Sequence, residues 1–240
     1  MTKYYLTTPI YYVNDRPHIG HAYTTFAADA IVAWRRMCGD EVFFLTGTDE
    51  NAQKNSEAAA KKLGVGAGAV SRAEVQTYVD EMSAVWSRTW DTLGIRYDRF
   101  IRTTEPAHIR GVIQFIEAVR ASGDIYKGKY SGWYCVGCEA FVTEQESGMR
   151  NQESGGSPEC PVHRRPLERV EEDNYFFRLS KYRDALLQHI ERNPKFVQPE
   201  NRRNEIIAYI DAHLTDISIS RPMKNWGIPF PGDPEQAVYV

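Results

Sequence analysis

The sequence predicts an α/β fold built on a parallel sheet, and three observations carry that expectation. Strand-like and helix-like segments alternate from residue 3 to residue 121. The run Glu41–Thr46 is nearly all apolar, as a strand covered on both faces requires. Hydrophobic residues make up 42% of 240, enough to fill a core, which sets aside disordered chains and small disulfide scaffolds.

The elements follow in order. Lys3–Thr8 reads as a first strand, rich in aromatic and β-branched residues, and Pro9 leads into a loop with Asn14-Asp15-Arg16-Pro17. A long helix opens at His18, where Phe26, Ala30 and Trp34, with Ala27, Ile31 and Cys38, recur at three- and four-residue spacing. Gly39 stands where a helix commonly ends, and Cys38 is expected in the core. After the Glu41–Thr46 strand come the polar turn Gly47-Thr48-Asp49-Glu50 and helices at about residues 51–62 and 71–93. Arg99–Arg102 is a third strand. Thr104 can cap the next helix, whose apolar stripe is Ile109, Val112, Ile113, Ile116 and Val119.

Beyond Gly123 the pattern changes. Residues 130–169 read as short and irregular, with three cysteines and a polar insertion at 151–158 expected to be mobile. Helices return at 180–191 and 200–214, then a strand-like Ile217–Ser220. Gln236–Val240 reads as an apolar strand with no turn or helix after it. Either it is a tucked terminal strand, or the chain is cut within a domain; the second reading is favoured, because a bare edge exposes apolar surface. The division is therefore 1–122, 123–225 with a knuckle at about 130–170, and 226–240.

Lys plus Arg number 29 against 32 Asp plus Glu, a net charge of −3, so bulk electrostatics cannot bind nucleic acid and only a local basic patch could. Four cysteines suit a reducing compartment. No run approaches the roughly 18 apolar residues of a membrane span, and residues 1–17 hold no signal-peptide core. The expectation is a soluble, cytoplasmic protein.

Two motifs carry chemistry. In His18-Ile19-Gly20-His21 the imidazoles stand three residues apart at a helix start, on one face, beside unpaired N–H groups that favour phosphate. Gly20 leaves open backbone between them against which a nucleotide could pack. Two surface histidines at a helix start would look the same. In Cys135-Val136-Gly137-Cys138 and Cys160-Pro161-Val162-His163, two pairs each enclose two residues, the spacing of a closed, structural zinc site. A redox Cys-x-x-Cys or coincidence are the alternatives.

Further segments complete a pattern: Thr8–Asn14, Phe44–Glu50, Phe100–Glu105, Asn174–Phe177 and Asp216–Arg221. With the histidine motif, they resemble the amino-terminal part of the bacterial methionyl-tRNA synthetases, a class I family, through essentially all 240 residues. The resemblance implies the first half of a Rossmann-type parallel sheet with an inserted zinc-knuckle connective domain. It implies a methionine-tRNA ligase acting through methionyl-adenylate, with ATP, methionine and the methionine tRNA as partners, magnesium accompanying ATP and zinc structural. His18 and His21 are then catalytic; Ile10 and Tyr12 line the methionine side chain; Asp49 faces the α-ammonium and Arg221 pairs with it. Cys135, Cys138, Cys160 and His163 become the zinc ligands. No counterpart of the family's second half-sheet, lysine loop or anticodon-binding domain is present, so the chain alone is expected to be inactive, and a partner chain is one way to supply the missing half. Asn51-Ala52 stands where relatives commonly read His-Gly, which puts nucleotide contact by that loop in question. A synthetase for a larger aliphatic residue would carry a longer editing insertion. A split or degenerate relative acting as an RNA-binding or interaction module, through Arg164, Arg165, Arg202 and Arg203, is the non-catalytic alternative.

Overall fold

Proline has no N–H to give to a ladder, and Pro9 divides the first strand into β1 (Lys3–Thr7) and a short β2 (Tyr11–Tyr12) that the sequence does not announce. This is seen in a computed structural model that describes residues 2–135, 140–142, 158–162 and 164–239. It forms two compact units, Met1–Gln114 with Met223–Ile228, and Phe115–Pro222 with Pro229–Val240.

In the first unit, helix α1 spans Ile19–Met37, with His18 as its N-cap rather than its first residue. The central strand β3 (Glu41–Asp49) runs three residues beyond the predicted end. It pairs in parallel with β1 from Lys3–Glu41 to Thr7–Leu45, with β2 at Thr48 and Asp49, and with β4 (Arg99–Arg102) from Leu45 to Thr48. A Cβ on Gly47 would lie 2.0 Å from the Ile101 carbonyl oxygen, so only glycine admits the close approach of β3 and β4. Helix α2 is Gln53–Leu63, and α3, Arg72–Thr92, starts on a reciprocal cap in which the Glu74 N–H donates to Ser71 Oγ and the Ser71 N–H to Glu74. Gly39 and Gly64, at φ +84° and +70°, end α1 and α2 in the left-handed region.

The core of this unit gathers Val13, Val32, Phe44, Val75, Val79, Trp86 and Trp90, all fully buried. Helix α1 faces it with Thr25, Ala28 and Val32, not with the stripe read from sequence. Ile19, Tyr23, Phe26, Trp34 and Met37 are exposed, and so is Cys38, which caps the helix instead of entering the core. The helix is apolar on two opposite faces, and periodicity alone cannot say which one turns inward.

Helix α4, Pro106–Ala121, leads to the second unit, where antiparallel strands take up residues 130–135, 140–142 and 168–169 of the stretch expected to be irregular. There β5 (Ile125–Cys135) pairs with β7 (Glu168–Phe177) from Ile125–Phe177 to Tyr134–Glu168; β6 (Ala140–Val142) and β8 (Ile217–Ser218) flank them. Helices α5 (Arg183–Arg192) and α6 (Glu200–His213) precede β8. A second sheet orders β10 (Pro229–Phe230), β11 (Asp233–Val238) and β9 (Ser220–Pro222), all antiparallel, so the strand near the chain end is not a parallel one. The predicted Ile217–Ser220 strand is two pieces in two sheets. Asp124, just before β5, accepts from Lys181, Tyr182 and Ser122, and these bonds hold its carboxyl down at about 2. The 151–157 insertion lies outside the described residues. Among the described residues no helix is long and apolar enough to cross a membrane.

What fixes the carboxyl ends of β3 and β4 is a buried carboxylate. Glu50 is fully buried; Arg102 donates to its two oxygens at 2.8 and 2.9 Å, Thr48 donates at 2.7 Å, and Thr104 donates as well. Thr104 therefore spends its hydroxyl on Glu50 rather than on capping α4. Burial works against the charge of Arg102, but its bonds to Glu50 and Asp80 hold the guanidinium protonated. Removing one partner of a buried pair leaves an uncompensated charge, so Arg102→Met should lower stability by about 3–5 kcal/mol in urea unfolding. A loss under about 1 kcal/mol would mean that water reaches Glu50.

Candidate functional site

The histidine motif folds onto itself at the mouth of α1. The His18 ring lies over Gly20, its Nδ1 accepting the Gly20 N–H at 3.1 Å, and His21 Nδ1 accepts the His18 N–H at 3.2 Å. The two rings stack with centroids 3.7 Å apart. A nitrogen that accepts a hydrogen bond carries no proton, so each neutral ring keeps its hydrogen on Nε2. The site thus offers two adjacent N–H donors. Gly20 also has a part in the fold: a Cβ there would sit 2.9 Å from His18 Cε1, so the His18 ring lies against bare backbone at this position.

Behind the histidines stands an aromatic ledge. His21 packs against Tyr11 at 4.9 Å and edge-on to Trp86 at 4.8 Å, and Tyr11 stacks on Trp86 at 5.1 Å. Tyr11 donates or accepts with Thr25 at 3.0 Å, and Thr25 donates to the His21 carbonyl, fixing the first turn from below. Burial, then the neighbouring His18 charge, lowers the His21 pKa, which favours the neutral donor form. The histidine motif points to neither Tyr11 nor Trp86, the latter 65 residues beyond His21.

Asp49 ends β3 at the carboxyl edge of the sheet, where open α/β sheets bind ligands. Burial raises its pKa; the bond from the Asn51 N–H at 3.4 Å and the charges of His108 and Lys54 pull it back, and Glu50 pushes it up. Tyr12 is its register partner on β2, half-exposed with the Lys54 ammonium 4.8 Å from its ring centre, and Ile10 is half-exposed just before. His18, His21, Ile10, Tyr12 and Asp49 all belong to the first unit. Asn51 donates from Nδ2 to the Thr103 carbonyl at 3.1 Å and so serves the turn's own structure.

Arg221, Cys135 and Cys160 lie in the second unit. Arg221 on β9 donates to Ser218 Oγ at 2.7 Å and to the Ser220 carbonyl at 2.9 Å, with its guanidinium 4.2 Å from the Tyr239 ring centre. Cys135, ending β5, and Cys160 are both buried in one small cluster with Val142 and Leu167. Around Cys160 the chain turns tightly: its N–H donates to the Arg165 carbonyl and its carbonyl accepts the Arg164 N–H, both at 2.8 Å, with Arg164 at φ +49°. Two soft thiol donors brought together suit zinc. Cys138 and His163 lie outside the described residues, and among those described there is no group of three metal-binding side chains.

The chain matches the family model of class I tRNA synthetases (M) over residues 4–240. It is 48% identical over 238 residues to the methionine–tRNA ligase of Thermotoga maritima, covering 99% of this chain and 36% of that protein. With the methionine–tRNA ligase of Streptomyces coelicolor it shares 45% over 237 residues, 43% of that protein. A solved Mycobacterium tuberculosis methionyl-tRNA synthetase in complex with methionyl-adenylate superposes with a TM-score of 0.87 at 41% identity, over 100% of this chain and 44% of that one. The apo form of the Mycobacterium tuberculosis enzyme gives 0.76 at 38% identity. The chain spans less than half the length of these relatives.

Burial, then the neighbouring His18, sets the titration of His21. Its pKa is lowered on folding, so the stability it contributes is present above the ordinary imidazole pKa and declines as pH falls through the lowered value. Long-range ¹H–¹⁵N spectra should show His21 as the Nε2–H tautomer at pH 7, titrating below the ordinary imidazole value. An Nδ1–H tautomer, or an ordinary midpoint, would contradict the bonding.

Proposed function

The chain belongs to the methionine branch of the class I tRNA synthetases, and from that premise we propose that it supplies the amino-terminal part of a methionine–tRNA ligase. A methionine carboxylate oxygen attacks the α-phosphorus of ATP, the bond to pyrophosphate breaks, and methionyl-adenylate forms. A hydroxyl of the terminal adenosine of the tRNA then attacks the methionyl carbonyl and AMP leaves. The observation that carries this reading is the stacked histidine pair with both Nδ1 atoms engaged. Its two Nε2–H donors stabilise charge on the phosphate as pyrophosphate departs, without reorganising. Magnesium accompanies the triphosphate.

Asp49 takes the α-ammonium of methionine and Ile10 and Tyr12 wall the thioether, while Arg221 keeps the methionine-positioning role that the family resemblance gives it. Because burial raises the Asp49 pKa, methionine binding should fail on acidification at a higher pH than an ordinary carboxylate would give. Relatives span more than twice this length, and we propose that polypeptide from the remaining family length, continuous with this chain or on a partner chain, covers the exposed outer face of α1. Two features support that: the apolar row Ile19, Tyr23, Phe26, Trp34 and Met37, and β1, which among the described residues pairs with β3 alone. The cytoplasm is the matching compartment.

We assign a structural zinc to Cys135, Cys138, Cys160 and His163. Zinc here supplies no chemical step; it holds a stretch whose described apolar cluster is only a few side chains. One zinc per chain is expected by elemental analysis, and Cys160→Ser should release it and unfold the second unit's cluster. A stoichiometric metal retained by that variant would overturn the assignment.

The reaction itself is tested by methionine-dependent exchange of pyrophosphate into ATP, with magnesium and zinc present. It is measured on the 240-residue chain alone, and on the chain followed by the remaining length of the Thermotoga maritima relative. Exchange is expected in the second, for methionine only, and about 10²-fold weaker in His21→Ala. Exchange with leucine or valine would overturn the substrate. Binding of tRNA without exchange in either protein would favour the interaction-module reading.

A further inference from the structure

The turn that presents Asp49 is short, and three of its backbone polar groups are met by side chains from elsewhere. Asn55 Nδ2 donates to the Asp49 carbonyl at 3.1 Å, and Thr103 Oγ1 accepts the Glu50 N–H at 2.8 Å. The Glu50 carbonyl accepts from the indole Nε1–H of Trp226, 176 residues away in sequence and buried.

Trp226 is itself held on both sides. Asn225 donates from Nδ2 to the Val70 carbonyl at 2.9 Å and accepts from Ser56 Oγ at 3.1 Å. Arg72 donates to the Gly227 carbonyl at 3.0 Å and lies 5.2 Å from the centre of the Trp226 ring. Every one of these residues belongs to the first unit. The sequence reading passed over Asn225-Trp226-Gly227, because no local pattern ties it to residue 50.

We propose that Trp226 is a positioning residue for the methionine site: by pinning the Glu50 carbonyl it fixes the direction and solvent exposure of the adjoining Asp49 carboxylate. The site's function rests on the reading above; the coupling of Trp226 to Asp49 does not. Trp226→Phe keeps an aromatic ring but removes the indole N–H, leaving the buried Glu50 carbonyl without that donor. The turn then relaxes toward water, and the desolvation that raises the Asp49 pKa is relieved. The charges facing that carboxyl, Glu50, Lys54 and His108, are untouched by the substitution.

The test compares Trp226→Phe with Trp90→Phe, the same change at another buried tryptophan of this core, whose indole nitrogen has no hydrogen-bond partner among the described residues. Asp49 is followed by ¹³C carboxyl titration of the 240-residue chain. In Trp226→Phe the Asp49 midpoint should fall toward the ordinary carboxylate value, and methionine should bind about five- to tenfold more weakly with ATP affinity within about twofold. Trp90→Phe should lower the melting temperature and leave the Asp49 midpoint in place. An unchanged midpoint in Trp226→Phe, or an equal shift in both variants, overturns the proposal. Saturating methionine that leaves the wild-type Asp49 signal unmoved overturns the substrate role of Asp49 instead, and the titration still decides for or against Trp226.

Discussion

A carboxylate without water has to be answered by a cation and by hydrogen bonds, and Glu50 imposes that requirement on everything around it. Arg102 must lie at the end of the neighbouring strand, and Thr48 and Thr104 must turn their hydroxyls inward. Once those groups are in place, the carboxyl ends of β3 and β4 are tied at the same level. Asp49 is then displayed one residue before the lock, at the sheet edge where a ligand can meet it. The helix start at Thr104–Pro106 is recruited into the same network, which is why the hydroxyl there does not cap its helix.

The histidine pair solves a different problem with the same economy. An imidazole with a free choice of tautomer is an ambiguous donor, but each Nδ1 here is committed to a backbone N–H, one of them that of the other histidine. The ambiguity disappears, and the donors point away from the helix. Tyr11 and Trp86 give the His21 ring an apolar floor, and its burial favours the neutral state. Donors that are fixed before the ligand arrives need no rearrangement when charge develops, and that is the physical value of the arrangement.

Much of this was legible from residues alone. The alternation of strands and helices through α4, the glycine end of α1 and the spacing of the paired cysteines follow local rules that act within a few residues. The second unit was harder. Its long β5–β7 pair joins residues 125–134 to 168–177, and cross-strand partners that far apart leave no periodic mark on either segment. Strand pieces of two or three residues, such as β2, β8 and β9, exist only because a neighbour is there to pair with them.

Sequence by itself determined the parallel α/β class, the family, the histidine motif and the acid at the end of the second long strand, because each is set by residue type and short spacing. Tertiary structure alone decided which face of α1 turns inward, that Glu50 is buried against Arg102, that Thr104 serves Glu50, and that Trp226 closes the turn beside Asp49. The physical reason is distance along the chain. Capping, turn formation and strand patterning are settled among neighbours, whereas burial of a charge or a carbonyl is settled by whichever residues the fold brings to it, and those lie 52 to 176 positions away.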